Sequence, residues 1–159
     1  MHHLVLLTGS NVGDSLANLQ TAARYIAAEV GSIQKQSSVY KTAPWGNTKQ
    51  QDFLNQVLWV DTEKSAREAL SLVLAIEQKM GRVREQKWAP RTIDIDILFY
   101  DDAIIQESDL QVPHPLLHLR KFTLQPLLEL DPNFIHPLFK QSITQLSNAC
   151  PDESLVEKL

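Results

Sequence analysis

The sequence predicts an α+β fold with a ferredoxin-like βαββαβ core, in which an antiparallel sheet carries helices on one face and short helices follow at the C-terminus. Two observations predict it. Segments with the patterns of strands and helices alternate in the order β-α-β-β-α-β along residues 3–100. The 159 residues, 43% of them hydrophobic and 21% charged, match one globular domain spanning 1–159.

The first strand and the first helix are separated by a turn. The run HLVLLTG at 3–9 predicts a strand, and Gly13 and Asp14 supply the turn and a helix N-cap. Gly31 is expected to end the helix as its C-cap. The helix is predicted from apolar residues that recur at helical spacing: Leu16, Leu19, Ala23, Ile26, Ala27 and Val30.

The middle of the chain predicts two strands and a second helix. The strands are expected at about 33–40 and, in FLNQVLWVDT, at 53–62, with the turn-rich TAPWGNTKQQD between them. Ser65 and Glu68 have the spacing of a capping box at the start of the helix, and Gly81 is expected to end it. Its apolar stripe consists of Ala69, Leu70, Val73, Ile76 and Met80.

The remaining elements follow a polar, basic loop at 82–91. The run TIDIDILFY at 92–100 predicts the last strand of the core, and short helices are expected within 115–128 and 141–149. With the predicted helices on one face of the sheet, the other face is free to hold a site.

Charge and composition narrow the function classes. A net charge of −4 disfavours general nucleic-acid binding, which needs a basic face. No apolar run approaches the ~20 residues of a membrane span, and the N-terminus lacks the basic region of a signal peptide. Cys150 is the single cysteine, so we expect no disulfide framework, no cysteine metal cluster and a cytoplasmic location.

Two aspartates interrupt the apolar strand RTIDIDILFY. Alternate side chains of a strand share a face, so Ile93, Ile95 and Ile97 can face a core while Asp94 and Asp96 lie side by side on the opposite face. Buried carboxylates are costly unless they are paired, and two neighbouring ones share either a proton or cations. Oxygen ligands of this kind suit Mg²⁺, which completes its shell with water and substrate phosphates.

The neighbouring loop supplies positive charge. Arg82, Arg84, Lys87 and Arg91 against Glu85 give a balance of +3 within ten residues. Guanidinium groups are common bidentate partners of phosphate oxygens, so the aspartates and arginines together indicate a metal and polyphosphate site. The structural alternative is that the aspartates are solvated on an exposed sheet face and form ion pairs with the loop.

Three further kinds of residue fit either a site or an ordinary structural role. Glu77 lies in line with the apolar stripe of the second helix, where it accepts a ligand hydrogen bond or reaches water at the edge of the stripe. His114, between two prolines, fits either a phosphate contact or a surface loop. Aromatic residues in or beside the loops suit a flat heterocycle or fill the core: Trp45, Phe53, Trp88 and Phe122.

Six blocks of the sequence, in register over nearly the whole chain, resemble the 6-hydroxymethyl-7,8-dihydropterin pyrophosphokinase family of the folate pathway. The blocks are GSN (9–11), TAPWG (42–46), DFLNQV (52–57), IEQKMGRVR (76–84), KWAPRTIDIDIL (87–98) and VPHPLLHLRKFTLQPLLEL (112–130). The resemblance implies transfer of the pyrophosphoryl group of ATP to the pterin hydroxymethyl group, with release of AMP.

The resemblance also implies roles for single residues. Asp94 and Asp96 would hold two Mg²⁺ ions and would act in catalysis together with Arg82 and Arg91. Asp94 would also border the pterin. Positions that contact ATP are matched by Glu77 near the ribose, the backbone around Ile97 near adenine, and the phosphate contacts Arg82, Arg91, His114 and Arg120. Positions around the pterin are matched by the sandwiching Phe53 and Phe122, the edge contacts Thr42, Pro44, Trp45 and Asn55, and Trp88, which helps to close the site.

Two other function classes remain possible on the residues alone. A non-catalytic ferredoxin-like ligand-binding module would need no acidic pair beside an arginine-rich loop. A single-stranded RNA binder would carry aromatic residues on the sheet face, where this sequence has Asp94 and Asp96. We therefore expect small-molecule substrates, no nucleic-acid or membrane partner, and a monomer.

Overall fold

The strands and helices of the computed structural model, which describes residues 1–43, 51–81 and 92–159, follow the predicted order. The core elements are β1 (His2–Ser10), α1 (Ser15–Glu29), β2 (Ser32–Gln36), β3 (Tyr40–Thr42), β4 (Phe53–Thr62), α2 (Ala66–Lys79) and β5 (Asp94–Tyr100). They are followed by a small hairpin of β6 (Ile105–Gln106) and β7 (Gln111–Val112), a short 3₁₀ turn (Leu117–Leu119), α3 (Lys121–Leu130), α4 (Ile143–Ala149) and β8 (Val156–Lys158).

The main sheet confirms the ferredoxin-like core. Within the described ranges its strands lie in the order β5-β1-β4-β3-β8, and β2 pairs with the other end of β4. All of these pairings are antiparallel. Because β1 lies between β4 and β5 and is antiparallel to both, the C-terminal end of β1 lies beside the N-terminal ends of β4 and β5.

Both helix starts predicted from capping residues are confirmed. The Asp14 carboxylate accepts a hydrogen bond from the Ala17 amide at 3.1 Å. In the capping box, Ser65 Oγ accepts from the Glu68 amide and Glu68 Oε1 accepts from the Ser65 amide, each at 3.1 Å. Such caps satisfy amides that have no partner within the helix.

The sheet separates two apolar clusters. On one face, α1 and α2 pack over residues that include Leu4, Leu6, Ile93, Ile95 and Ile97. On the other face, α3 and α4 pack over residues that include Val5, Leu7, Val57, Leu98 and Phe99. The C-terminal helices therefore cover part of the face that the sequence left free, and a site has room only at the part they leave open.

The predicted strand at 33–40 is divided in two. Ser37, which is buried, breaks the strand because its Oγ accepts from the Val57 amide at 2.9 Å and donates to the Ser38 carbonyl at 2.7 Å. A hydroxyl that bonds locally to the backbone competes with the strand ladder. As a result β2 and β3 pair separately with β4, and β3 ends beside the start of β4.

The last core strand carries an irregularity that the alternating pattern did not predict. Ile97 of β5 pairs with Leu6 of β1, and the next pair is Phe99 with Val5, so Leu98 is the extra residue between the two pairs. The extra residue of a β-bulge shifts the side chains that follow it to the other face. Leu98 and Phe99 consequently both pack under α3 and α4.

The C-terminal part confirms the predicted short helices and adds a strand. The 3₁₀ turn and α3 correspond to the helices expected within 115–128, and Arg120, with an extended backbone (φ −122°, ψ 109°), separates them. Helix α4 corresponds to the one expected at 141–149. Strand β8 was not predicted; it adds to the sheet by pairing with β3, with Val156 opposite Thr42. None of the helices in the described ranges has the length and apolar character needed to cross a membrane.

Candidate active site

A cavity of about 220 Å³ opens where β1, β3, β4 and β5 end near the start of α3. Each of these elements contributes side chains or backbone to its wall. The lining residues are Leu7, Gly9, Thr42, Ala43, Phe53, Asn55, Asp94, Asp96, Arg120 and Phe122. Seven of these ten were predicted as site residues from the sequence, and they come from four separate segments of the chain.

The two aspartates lie on the cavity side of β5. Asp94 pairs with Gly9 and Asp96 pairs with Leu7 in the adjacent strand β1. The intervening Ile95 is buried in the cluster beneath α1 and α2, so the strand alternation directs both carboxylates to the opposite face, as predicted. Two carboxyl side chains therefore lie side by side on one wall of the cavity.

Arg120 and Phe122 form the wall opposite the strands. The Arg120 guanidinium carbon lies 5.6 Å from the centre of the Phe122 ring, within the range of a cation–π contact. This contact holds a positive charge in a cavity that also contains two carboxylates. The cavity thus combines an aromatic face with groups of both charges.

Two buried polar residues, one at the end of β3 and one near the start of β4, line the cavity. Asn55 and Thr42 are both buried, with 6% and 4% of their surfaces exposed. The Asn55 side-chain amide donates to the Thr8 carbonyl at 3.3 Å. Thr42 Oγ1 has no hydrogen-bond partner in the part of the chain that the structure describes. A buried hydroxyl without a partner is costly, and a polar ligand in this cavity would supply one.

Gly9 permits the close approach of Asn55. Gly9 lies within β1, as the strand predicted at 3–9 implied, and it is directly opposite Asn55. A Cβ atom at this position would lie 2.5 Å from Asn55 Nδ2. A glycine that interrupts an apolar strand often marks such an approach, so the sequence did contain a signal for this residue.

We expect Gly9→Ala to weaken binding of a ligand that contacts Asn55. The added methyl group must displace the Asn55 amide, and overpacking of this kind typically costs about 1–3 kcal/mol. Ligand titration together with thermal unfolding measures both effects. Gly13→Ala is the matched control, because Gly13 has φ +60° but no atoms within 4 Å of a new Cβ. It should lower stability through backbone strain without changing ligand affinity. If Gly9→Ala weakened binding equally in an Asn55→Ala background, the steric explanation would be wrong.

His114 lies near both Asp96 and Arg120. Burial lowers the pKa of His114, the Asp96 carboxylate raises it and Arg120 lowers it, and the net pKa is below the ordinary value. The ring is therefore neutral at pH 7. Its Nδ1 accepts from the Leu116 amide at 3.1 Å, so the ring proton is on Nε2. The neutral imidazole thus keeps one N–H that can donate to an anionic ligand.

The side chains of Glu77 and Ile97 are buried and expose little surface to a ligand. Glu77 is 4% exposed, and its Oε2 accepts from the Ile95 amide at 2.8 Å, which ties α2 to β5. The Ile97 side chain packs in the cluster beneath α1 and α2. The ATP contacts expected for these two residues stay predictions, and for Ile97 they concern only the backbone.

Five of the residues predicted for the site lie outside the described ranges: Pro44, Trp45, Arg82, Trp88 and Arg91. Three residues that line the cavity were not predicted as site residues. Leu7 and Gly9 lie on β1 opposite the aspartates, and Ala43 follows Thr42. Leu7 and Ala43 could not be predicted as site residues from the sequence, because they are small or apolar. They line the cavity only because the strands position them there.

Comparisons with known proteins agree on one family. The family model for 7,8-dihydro-6-hydroxymethylpterin-pyrophosphokinase (HPPK) matches residues 5–132. A curated 2-amino-4-hydroxy-6-hydroxymethyldihydropteridine pyrophosphokinase from Aquifex aeolicus is 42% identical over 137 residues, which cover 86% of this chain and 85% of that protein. One of the same name from Synechocystis is 38% identical, over 91% of this chain and 74% of that protein.

A solved structure shows the same fold at much lower identity. Plasmodium falciparum HPPK-DHPS with pterin and p-hydroxybenzoate superposes on this chain with a TM-score of 0.75 at 18% identity. The superposition covers 93% of this chain and 41% of the Plasmodium chain. At this identity the likeness is informative about the fold.

Proposed function

The chain belongs to the 7,8-dihydro-6-hydroxymethylpterin-pyrophosphokinase family, and we infer that it transfers the pyrophosphoryl group of ATP to 6-hydroxymethyl-7,8-dihydropterin. The products are the pterin diphosphate and AMP, and the reaction serves tetrahydrofolate biosynthesis. One observation of the structure carries the inference most directly: a single cavity joins two aromatic side chains, buried polar groups, an arginine and a pair of aspartates. A non-catalytic ligand-binding module would need no such combination.

The aromatic and buried polar groups of the cavity suit a pterin. Phe53 and Phe122 offer faces on which a flat heterocycle can stack. Asn55 and Thr42 supply hydrogen-bonding groups for the donors and acceptors along the edge of the ring. An apolar slot with a few convergent polar groups is the usual form of a small-molecule site.

The charged groups in and beside the cavity suit phosphates. The Arg120 guanidinium, which lines the cavity, can hold phosphate oxygens. His114 lies near Arg120 but is not a lining residue, and its Nε2–H can donate a further hydrogen bond. We propose that Arg82 and Arg91, from the basic segment at 82–91, add to this positive charge. ATP carries several negative charges on its triphosphate, so a cluster of cationic donors is what its recognition needs.

The residues present fit a magnesium site. No group of three or more histidine, cysteine, aspartate or glutamate side chains gathers in the described ranges, so a metal cage made wholly of protein is not seen there. Mg²⁺ does not require one, because it commonly binds through one or two carboxylates together with substrate phosphates. We propose that Asp94 and Asp96 hold two Mg²⁺ ions together with ATP. When bound, these ions would neutralise charge on the triphosphate.

The reaction requires alignment more than a covalent intermediate. The pterin hydroxyl oxygen forms a bond to the β-phosphorus as the bond from that phosphorus to the oxygen shared with the α-phosphate breaks, and the hydroxyl proton is released. Phe53 and Phe122 hold the pterin, while Arg120 and His114 hold the phosphates, so the two reactants meet in a fixed geometry. Positioning and charge stabilisation are the main contributions in phosphoryl transfer of this kind.

The decisive experiment distinguishes AMP from ADP. We expect AMP and the pterin diphosphate to appear in equal amounts when the protein is incubated with ATP, Mg²⁺ and the reduced pterin. Controls lacking the pterin, or with EDTA in excess over Mg²⁺, should give no AMP. Formation of ADP, or of AMP without the pterin, would contradict the proposed reaction. Light scattering on the same preparation measures its molar mass and tests our expectation of a monomer.

A further inference from the structure

The first turn of α3 carries two residues of the cavity but lacks the usual local support. Arg120 is the N-cap of this helix and makes no side-chain capping bond. Pro126 lies inside the helix and has no N–H, so it cannot make the bond that this position would give to the Phe122 carbonyl. The backbone that carries Phe122 is therefore held by fewer bonds than an ordinary first turn.

A residue from the C-terminal segment supplies the missing cap. Asp152 Oδ2 accepts from the Lys121 amide at 3.0 Å, across 31 positions of sequence. Its other oxygen, Oδ1, accepts from the Ser154 amide at 2.9 Å, which fixes the orientation of the carboxylate. A carboxylate at a helix N-terminus also interacts favourably with the helix dipole.

Asp152 is itself held in place by the strand that follows it. The last strand, β8, pairs with β3, and the Leu159 amide donates to the Val39 carbonyl at 2.9 Å. Asp152 and Pro151 line a groove whose other residues include Arg120 and Phe122, the two side chains shared with the cavity. The segment therefore lies beside two side chains that also line the cavity.

Burial raises the pKa of Asp152. Hydrogen bonds from Ser154 and from the Lys121 amide lower it by more than burial raises it, so the net pKa is below the ordinary value. The carboxylate is therefore ionised at neutral pH and available as a cap.

We propose that Asp152 is a positioning residue for pterin binding, because it fixes the first turn of α3 and thereby the orientation of Phe122 against the cavity. This inference rests on the proposed function, since it names the pterin as the ligand that Phe122 contacts. Asp152 touches neither substrate in this scheme and acts only through the helix.

The test compares Asp152→Ala with Asp152→Asn. Loss of a cap commonly costs about 1 kcal/mol, so we expect Asp152→Ala to raise the Kd and KM for the reduced pterin about fivefold to tenfold, with a smaller change in kcat. Asp152→Asn keeps a side-chain oxygen acceptor and should restore most of the affinity. A purely structural role would lower the amount of folded enzyme, hence the apparent kcat, and leave KM unchanged.

Ser142→Ala is the matched control. Ser142 Oγ caps α4 by accepting from the Gln145 amide at 3.1 Å, and neither residue lines the cavity. This variant should lose comparable thermal stability with an unchanged pterin KM. Equal KM values in the wild type and Asp152→Ala, or equal increases in Asp152→Ala and Ser142→Ala, would overturn the inference.

Hydrogen exchange separates failure of this inference from failure of the proposed function. The amides of Lys121 to Thr123 should exchange faster in Asp152→Ala than in the wild type without any substrate present. Unchanged exchange would overturn the positioning role even if the pterin binds. Faster exchange in a protein whose wild type does not bind the pterin would instead overturn the proposed function and, with it, the ligand named here.

Discussion

Asp96→Asn should abolish most of the turnover while leaving the fold intact. Loss of one preorganised electrostatic partner typically lowers turnover by ~10²–10³, and we expect at least this much because Asp96 would bind a cation that acts on the transferring group. The substitution preserves the size of the side chain. It removes one of two neighbouring negative charges on β5, so the stability of the substrate-free protein should be unchanged or higher.

Steady-state assays over a range of Mg²⁺ concentrations, with thermal unfolding of the substrate-free protein, check this prediction. A metal role requires that the Mg²⁺ concentration for half-maximal activity rise in Asp96→Asn. Asp102→Asn is the control, because Asp102 is exposed on the turn after β5 and does not line the cavity. Wild-type activity in Asp96→Asn would contradict the metal assignment, and a large loss of stability would indicate a structural ion pair instead.

Periodicity and capping predicted the core because both are local signals. The βαββαβ order follows from spacings of two and of about 3.6 residues, and the caps at Asp14 and Ser65 need only a few residues of context. The aspartate pair was predicted in the same way, since strand alternation alone separates Asp94 and Asp96 from Ile95. These parts of the fold depend on neighbours in the sequence.

Features that depend on distant contacts were not predicted from pattern. The bulge at Leu98 is visible only through the pairing of β5 with β1. Strand β8 is short, and two of its three residues are exposed, so its sequence carries no apolar alternation; it forms because β3 offers a free edge. The contact of Asp152 with the start of α3 was not predictable either, because it joins residues that are far apart in the sequence.

The site residues were predicted by resemblance more than by chemistry. Phe53 and Phe122 gave no signal on their own, because aromatic residues fill cores far more often than they bind ligands. The structure brings them to one cavity with Asn55 and Thr42, which is a fact of geometry that spacing did not contain. Which of these residues touches which substrate is a question for the variants.

Phe122→Ala should weaken pterin binding far more than ATP binding. Stacking of a base on an aromatic side chain is worth about 1–3 kcal/mol, so we expect a loss of roughly tenfold to a hundredfold in pterin affinity. ATP affinity should fall by about fivefold at most, because Phe122 affects Arg120 only through a cation–π contact worth about 0.5–1 kcal/mol when exposed. Separate fluorescence titrations with each ligand measure the two effects.

Phe122→Leu distinguishes stacking from core filling. Phe122 also packs against the apolar cluster beneath α3 and α4, so Phe122→Ala is expected to lose stability as well as affinity. Leucine restores much of the apolar volume but offers no aromatic face. We therefore expect Phe122→Leu to recover most of the lost thermal stability and little of the lost pterin affinity. Phe139→Ala is the control, because Phe139 stacks on His136 at 4.3 Å and does not line the cavity. Recovery of pterin affinity in step with stability would show that Phe122 acts as a core residue, since leucine can replace an aromatic ring in packing but not in stacking.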